Sequence, residues 1–248
     1  MKLTVATVCF NAEKTIEATI KSVLDQTYQN IEYLIIDGRS TDRTLELIGK
    51  YQTDSRVRVI SERDSGLYNA MNKAASVCSG EYILYMNSGD LFADRRVLAD
   101  VVPCLDADII YGNVIRIRQD GKHLEKYEGK HVVMRLLLMG RMICHQGMFT
   151  RADLMRAYRF NEQYTITADY DFVVRAHKNK CSMRHVDRTV AVVDSVEGIS
   201  SRTENNDIMR REDDRSLREN FPVWYYLIKL PKEFVRGLKR HAEQKGRA

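Results

Sequence analysis

Apolar runs and amphipathic stretches alternate along the first 90 residues of the chain. Four runs rich in β-branched and aromatic side chains are typical of buried strands, and the three stretches between them carry apolar side chains at helical spacing. The predicted strands cover residues 3–10, 31–37, 57–60 and 81–86, and the predicted helices cover 16–24, 42–51 and 67–77. This alternation predicts an α/β fold with a mostly parallel central sheet flanked by helices.

The pattern is less regular in the remainder of the chain. It predicts helices at 97–105, 132–139 and 169–179, and strands at 108–114, 115–118 and 186–193. The strands at 108–114 and 115–118 are predicted around Gly112. Residues 201–220 are highly charged and predict a solvated helix or a loop.

The composition is that of a folded protein with a full core, since 44% of the 248 residues are hydrophobic and 29% are charged. No apolar run approaches the roughly 18 residues of a spanning helix, and no N-terminal stretch resembles a signal peptide. The five cysteines are scattered and form neither a metal knuckle nor a redox pair, which favours a reducing compartment. We therefore expect a cytoplasmic protein.

The net charge of +5 is concentrated at the C-terminal end. Residues 221–248 carry seven basic and two acidic side chains, which leaves residues 1–220 without net charge. The body therefore lacks the basic face that nucleic-acid binding requires. Aromatic and apolar side chains at 221–230 precede the basic residues, a combination that suits the surface of an anionic membrane. The alternative is a helix that packs on the body or on a second subunit, so a homo-oligomer is left open.

Acidic residues stand at or just beyond the ends of three predicted strands. Asp37 closes the second strand, Asp64 follows the third and Asp90 follows the fourth. Ligands of open α/β sheets bind beyond the carboxyl ends of the strands, where an acid suits a ribose, a base N–H or a metal ion. Because the glycine-rich motifs of dinucleotide folds and phosphate-loop NTPases are absent, the sequence favours a nucleotide bound in another way.

Five motifs, in order, resemble those of family 2 glycosyltransferases, the inverting sugar transferases with the GT-A fold. They are Thr7-Val8-Cys9-Phe10-Asn11, Asp37-Gly38-x-Ser40-x-Asp42, Glu62-x-Asp64-x-Gly66-x-Tyr68, Asn87-Ser88-Gly89-Asp90, and His145-Gln146 followed by Thr167-Ala168-Asp169. The resemblance spans roughly residues 3–200 and implies a GT-A fold with a helical C-terminal extension. It implies a domain at 1–200, divided into a nucleotide-binding half at 1–90 and an acceptor half at 91–200. A charged linker and an amphipathic basic tail would follow at 201–248.

The resemblance also implies which residues contact the donor and a metal ion. The expected donor contacts are Thr7, Phe10, Asn11, Asp37, Asp64, Lys73, Asn87 and Asp90. Asp37 would accept a base N–H, and Asp90 would bind Mn²⁺ or Mg²⁺, with His145 as a second metal contact. Gly89 stands where the family often has another acid. One carboxylate is enough for Mg²⁺ or Mn²⁺, because phosphate oxygens and waters complete the coordination.

Asp169 resembles the catalytic base of the family, with Asp171 as the alternative. Inversion at the anomeric carbon needs a carboxylate that takes the proton of the acceptor hydroxyl. The implied function is metal-dependent transfer of a sugar from a nucleotide-sugar donor, with UDP favoured, to a hydroxyl of a glycan or lipid-linked glycan in polysaccharide biosynthesis. Residues 197–200 resemble a loop near the acceptor. The alternative function is an inactive nucleotide-sugar-binding partner protein with the same fold.

Overall fold

The structure is a computed structural model that describes residues 1–118, 120–125, 143–194 and 203–229. The predicted helix at 132–139, the loop at 197–200 and the tail from residue 230 onward lie outside the described residues.

A nine-stranded mixed sheet forms the centre of the described part of the chain. The strands are β1 (Leu3–Cys9), β2 (Ile31–Asp37), β3 (Val57–Ser61), β4 (Tyr82–Tyr85), β5 (Leu91–Phe92), β6 (Ile109–Arg118), β7 (Gly121–Glu125), β8 (Met148–Arg151) and β9 (Met183–Asp194). Their order across the sheet is β3-β2-β1-β4-β8-β6-β9-β5, and β7 pairs with β6. The register aligns Cys9 with Asp37, and Asp37 with Ser61, so the carboxyl ends of β1, β2 and β3 lie at one edge.

Helices cover both faces of the sheet. They are α1 (Ile16–Leu24), α2 (Thr44–Gly49), α3 (Leu67–Val77), α4 (Val97–Val101), α5 (Ala152–Tyr158), α6 (Ala168–Lys178), α7 (Asn206–Asn220) and the single turn α8 (Pro222–Trp224). Short 3₁₀ turns occupy Val102–Cys104, His145–Gly147 and Thr203–Asn205, and a π-helical turn covers Tyr225–Lys229. The α3, α5 and α6 helices pack on one face, and α1, α2 and α4 pack on the other. Alternate β1 residues enter the two layers, Ala6 and Val8 the first and Leu3 and Val5 the second.

The parallel half of the sheet confirms the predicted α/β pattern, while the second half is mixed. β8 runs antiparallel to both β4 and β6, and β5 runs antiparallel to β9. The prediction of two strands around Gly112 is wrong, because β6 continues through this residue. Gly112 instead permits a close approach within the sheet, since a Cβ there would lie 2.5 Å from the carbonyl oxygen of Arg188.

The charged segment after residue 200 forms a helix that docks on the body. Leu217 of α7 is buried in the core layer that α3 and α6 share, and Phe221 and Tyr225 pack against the same layer. Phe221 is the non-helical residue between α7 and α8, and its ring still packs on the body together with the side chains of Leu217 and Tyr225. The predicted division at residue 200 stays a prediction. Within the described ranges, no helix combines the length and the apolar character needed to cross a bilayer.

Candidate active site

A cleft of about 630 Å³ opens beyond the carboxyl ends of β1, β2 and β3. Phe10 lines it from the β1 end, residues 38–41 from the β2 end, and Arg63 and Asp64 from the β3 end. Phe10 is 62% exposed, so its ring can stack on a planar ligand. The structure therefore brings two predicted donor contacts, Phe10 and Asp64, to one cleft.

Asp37 lies beneath this cleft and holds the loop that follows β2. One carboxylate oxygen accepts the backbone N–H groups of Arg39 and Ser40, each at 3.0 Å, and the Ser61 hydroxyl at 2.6 Å. The other oxygen accepts the Ser40 hydroxyl at 2.5 Å, and the residue is fully buried. The observed contacts of Asp37 thus shape the cleft from within, and its predicted contact with a base stays a prediction.

The loops that line the cleft are tied to each other. The Asn11 side-chain oxygen accepts the Thr41 N–H at 2.9 Å, and the Asn11 N–H donates to the Ser40 hydroxyl at 2.9 Å. Gly38 has a steric role, because a Cβ there would lie 2.7 Å from a carboxylate oxygen of Asp64. Asn11 therefore joins the β1 and β2 loops, and Gly38 lets Asp64 lie against them.

Two further predicted donor contacts have other partners in the structure. The buried Thr7 hydroxyl donates to the Met86 carbonyl oxygen at 2.7 Å and lies 2.9 Å from the Tyr33 hydroxyl. Lys73 lies 3.0 Å from Glu62 and donates to the Arg63 carbonyl oxygen at 2.5 Å. Thr7 therefore supports the sheet, and Lys73 fixes the loop that carries Arg63.

Asp90 lies in the loop between β4 and β5. Gly89 has φ +101°, a conformation that side-chain-bearing residues rarely adopt, so a second acid there would be strained. Asp90 is only 5% exposed and accepts the side-chain N–H of Gln146 at 2.8 Å. Burial raises the pKa of Asp90 to about 6, which reflects the cost of placing a carboxylate in a poorly solvated position. A cation beside Asp90 would offset this cost.

Asp169 is the second residue of α6 and is equally buried. His145 Nδ1 lies 2.8 Å from one carboxylate oxygen of Asp169, and the Asn87 side-chain nitrogen lies 3.1 Å from His145 Nε2. Both hydrogen bonds are satisfied by a neutral imidazole that donates from Nδ1 and accepts at Nε2. The other Asp169 oxygen accepts the Tyr170 N–H at 2.9 Å and lies 3.2 Å from the Tyr68 hydroxyl.

One short turn joins the two acids that the sequence places far apart. His145 and Gln146 are consecutive residues of this turn, and His145 contacts Asp169 while Gln146 contacts Asp90. The sequence motifs include all four residues but do not show how they are paired. The adjacent His145 and Gln146 are the feature of the sequence that could have indicated the pairing. Asp171 has different partners, since its oxygens lie 2.7 Å from Arg175 and 2.7 Å from the Ser216 hydroxyl.

Asp90 and the Asn87 side-chain oxygen, three residues apart in one loop, are oxygen ligands that this loop could offer to a divalent cation. The Asn87 side-chain oxygen is buried, and no hydrogen-bond partner for it lies in the part of the chain that the structure describes. Within the same part of the chain, no group of three or more His, Cys, Asp or Glu side chains could hold a metal ion by itself. Because Mg²⁺ and Mn²⁺ commonly take one or two carboxylates plus phosphate oxygens and waters, Asp90 and Asn87 suit an ion completed by a diphosphate. Both ring nitrogens of His145 already have partners.

The sheet, with acids at or beyond the carboxyl ends of its strands, is that of a GT-A-type α/β protein, and the family of the chain decides which reaction it serves. The family model for glycosyl transferase family 2 matches residues 4–163, which is more than half of the chain. The chain therefore belongs to this family and is a glycosyltransferase. Asp169 lies beyond the matched residues.

Curated relatives are glycosyltransferases as well. The PGL/p-HBAD biosynthesis glycosyltransferase of Mycobacterium bovis is 28% identical over 209 residues, which cover 81% of this chain and 80% of that protein. The chondroitin synthase of Escherichia coli is 30% identical over 171 residues, which cover 67% of this chain but only 25% of the synthase. The chain thus resembles a part of that longer enzyme.

Solved structures confirm the predicted fold class. S. aureus TarS 1–349 in complex with UDP-GlcNAc has a TM-score of 0.71 at 20% identity, with 89% of this chain and 68% of that chain covered. The mannosyltransferase PcManGT from Pyrobaculum calidifontis, in complex with GDP-Man and Mn²⁺, has a TM-score of 0.61 at 15% identity, with 97% and 79% covered. At 20% and 15% sequence identity, the similarity to these two structures shows a shared fold and no more.

Proposed function

We propose that this glycosyltransferase moves a sugar from a UDP-sugar to an acceptor hydroxyl, with inversion and with the help of Mn²⁺ or Mg²⁺. The observation that carries the proposal is the turn at His145-Gln146, which holds Asp90 and Asp169 in one site. Asp90 is then available to the diphosphate end of the donor, and Asp169 is available to the acceptor.

The donor side of the proposal rests on the cleft and on the bound ligands of two related folds. Phe10 and Asp64 offer a ring face and a hydrogen-bond acceptor to a nucleobase. The TarS structure contains UDP-GlcNAc, which supports a UDP-sugar, and the PcManGT structure contains GDP-Man with Mn²⁺, which supports a divalent ion. Asp90 and Asn87 would hold that ion, and the ion would offset the charge that grows on the leaving diphosphate.

The acceptor side of the proposal rests on Asp169. The acceptor oxygen attacks the anomeric carbon from the face opposite the diphosphate, so a new C–O bond forms while the bond to the phosphate oxygen breaks. Asp169 takes the hydroxyl proton, and the electron pair of the broken bond leaves with the diphosphate. The hydrogen bond from His145 Nδ1 fixes one Asp169 oxygen during this step.

The activity is tested by UDP release from a panel of UDP-sugars with candidate glycan acceptors. We expect release that requires an acceptor and Mn²⁺, disappears with EDTA and returns when Mn²⁺ is added in excess. A thermal-shift screen identifies the donors to use, because a ligand that binds the native state raises its apparent stability. Donor binding without turnover for every acceptor and metal would instead favour the inactive nucleotide-sugar-binding partner.

We also propose that the acceptor is a lipid-linked glycan of a polysaccharide pathway and that the enzyme meets it at a membrane surface. Past α7, the chain exposes large apolar side chains, with Trp224 46% and Leu227 72% exposed. Phe221 and Tyr225 pack on the body, so the exposed side chains occupy the opposite side of this segment. The basic residues that follow in the sequence would attract anionic lipid headgroups.

Membrane contact is tested with the triple variant Val223→Ser, Trp224→Ser and Leu227→Ser. We expect about 100-fold weaker binding to phosphatidylglycerol vesicles, because each of the three large apolar side chains contributes on the order of 1 kcal/mol when it enters the interface. Ile208→Ser is the matched control, since Ile208 is 40% exposed on α7. Equal vesicle co-sedimentation of the triple variant and the wild type would reject the proposal, and a change in oligomeric state would point to a second subunit instead.

A further inference from the structure

Glu212 of α7 contacts the backbone immediately before the helix that carries Asp169. One carboxylate oxygen accepts the Thr165 N–H at 2.6 Å, and the other accepts the N–H groups of Ile166 at 3.0 Å and Thr167 at 2.9 Å. The second oxygen also lies 3.2 Å from the Thr167 hydroxyl. The Glu212 side chain of α7 thus accepts hydrogen bonds from three consecutive backbone N–H groups.

These contacts lie at the entrance to α6, on the three residues that precede its first helical residue, Ala168. The first N–H groups of a helix have no partner within it and carry the positive end of the helix dipole. Thr167 stands at the N-cap of α6, yet its side chain makes no capping hydrogen bond. The Glu212 carboxylate accepts the N–H of this N-cap residue and of the two residues before it, and it places a negative charge near the positive end of the helix dipole.

The segment that Glu212 holds leads directly into Asp169. The Tyr68 hydroxyl donates to the Ile166 carbonyl oxygen at 2.5 Å, so the backbone there is held from both sides. One turn further along α7, the Ser216 hydroxyl donates to Asp171 at 2.7 Å. The α7 helix therefore contacts the chain on both sides of Asp169.

The position of α7 is itself fixed by packing. Leu217 is 3% exposed in the core, and the rings of Phe221 and His177 lie 5.9 Å apart. The Arg215 guanidinium lies 5.4 Å from the centroid of the Tyr164 ring and donates to the Gln163 side chain at 3.0 Å. A rigid α7 can thus hold Glu212 in a fixed place.

We propose that Glu212 is a positioning residue for the catalytic base: its carboxylate holds residues 165–167 and thereby sets the place of the Asp169 carboxylate. The inference rests on the proposed role of Asp169. It makes α7, which lies outside the matched family residues 4–163, a working part of the active site.

The test compares Glu212→Ala and Glu212→Gln with the control Asp207→Asn in UDP-release assays. Asp207 lies on the same helix and contacts Arg210 at 3.6 Å as an exposed pair. We expect Glu212→Ala to lower kcat on the order of 10- to 100-fold, since small displacements of a catalytic group have effects of this size. Donor KM should stay within about twofold of the wild-type value, because the donor cleft is formed by other segments. Glu212→Gln should keep more of kcat than Glu212→Ala, because its amide oxygen can still accept one N–H.

Formate separates positioning from a general structural defect. Its carboxylate can occupy the place that Glu212→Ala vacates, so we expect formate to restore kcat and an equal concentration of chloride not to do so. An unchanged kcat, or a loss that formate does not restore, would overturn the proposal. Parallel assays of Asp169→Asn keep the two ideas apart. If that variant is inactive while Glu212→Ala is normal, only the positioning role fails; if Asp169→Asn is fully active, the proposed function fails first.

Discussion

Asp169→Asn is expected to lower the rate of sugar transfer by about 10²- to 10⁴-fold, the range typical of a lost general base. The amide is close to the carboxylate in shape, and its oxygen can still accept the hydrogen bond from His145 Nδ1, which is 2.8 Å long in the wild type. The amide cannot take the acceptor proton, so the loss should appear in kcat. Steady-state UDP release at saturating donor and acceptor measures it.

Asp153→Asn is a suitable control for this variant. Asp153 lies at the exposed start of α5 and pairs with Arg151. We expect its kcat to equal that of the wild type. Normal turnover by Asp169→Asn would contradict the role of Asp169 as the catalytic base. Asp171 would then be the alternative base, although it contacts Arg175 and Ser216.

Asp90→Asn is expected to lower transfer on the order of 100- to 1,000-fold, because the diphosphate would lose the cation that balances its growing charge. The same change should stabilise the protein in the absence of ligands. Burial raises the pKa of Asp90 to about 6, so above that pH the charged carboxylate costs folding free energy, and a neutral amide removes the cost. Lower activity should therefore accompany a higher free energy of unfolding.

Urea denaturation measures the gain in stability of Asp90→Asn. It is done at about pH 7.5, where the wild-type carboxyl is charged because its pKa is about 6. Mn²⁺ should add to the stabilisation of the wild type by UDP and should add nothing to the stabilisation of Asp90→Asn by UDP. Wild-type activity in Asp90→Asn, or equal stabilisation of both proteins by Mn²⁺ with UDP, would refute the assignment of Asp90 to the metal.

The parallel half of the fold could be predicted because three of its strands, β1, β2 and β4, are buried along their whole length. Such strands are apolar runs in the sequence, whereas β3 is a shorter and partly exposed strand. The mixed half was predicted less well. The pattern predicts two strands around Gly112 where β6 is continuous. The glycine permits the close approach of the Arg188 carbonyl oxygen, 76 residues away in the chain, which the sequence does not reveal.

In the candidate site, the sequence likewise predicted the acidic residues but not the residues that they contact. The acids at the strand ends were recognisable because they follow apolar runs and occur in ordered motifs. The partners of those acids depend on packing: Asp37 is enclosed by its own loop, and Asp90 and Asp169 meet through consecutive side chains of one turn. Glu212 was hidden in a charged run, because its partners are backbone N–H groups 45 to 47 residues earlier, which no pattern of side chains can indicate.

Calorimetric titration of UDP in the presence of Mn²⁺, into Asp90→Asn and Asp169→Asn side by side, tests the central claim most directly. The claim is that the two acids serve opposite ends of one reaction, the leaving diphosphate and the incoming hydroxyl. It predicts that Asp169→Asn binds UDP with wild-type affinity and that Asp90→Asn loses the part of the affinity that depends on Mn²⁺. Equal binding by both variants, or weakened binding in Asp169→Asn alone, would contradict it.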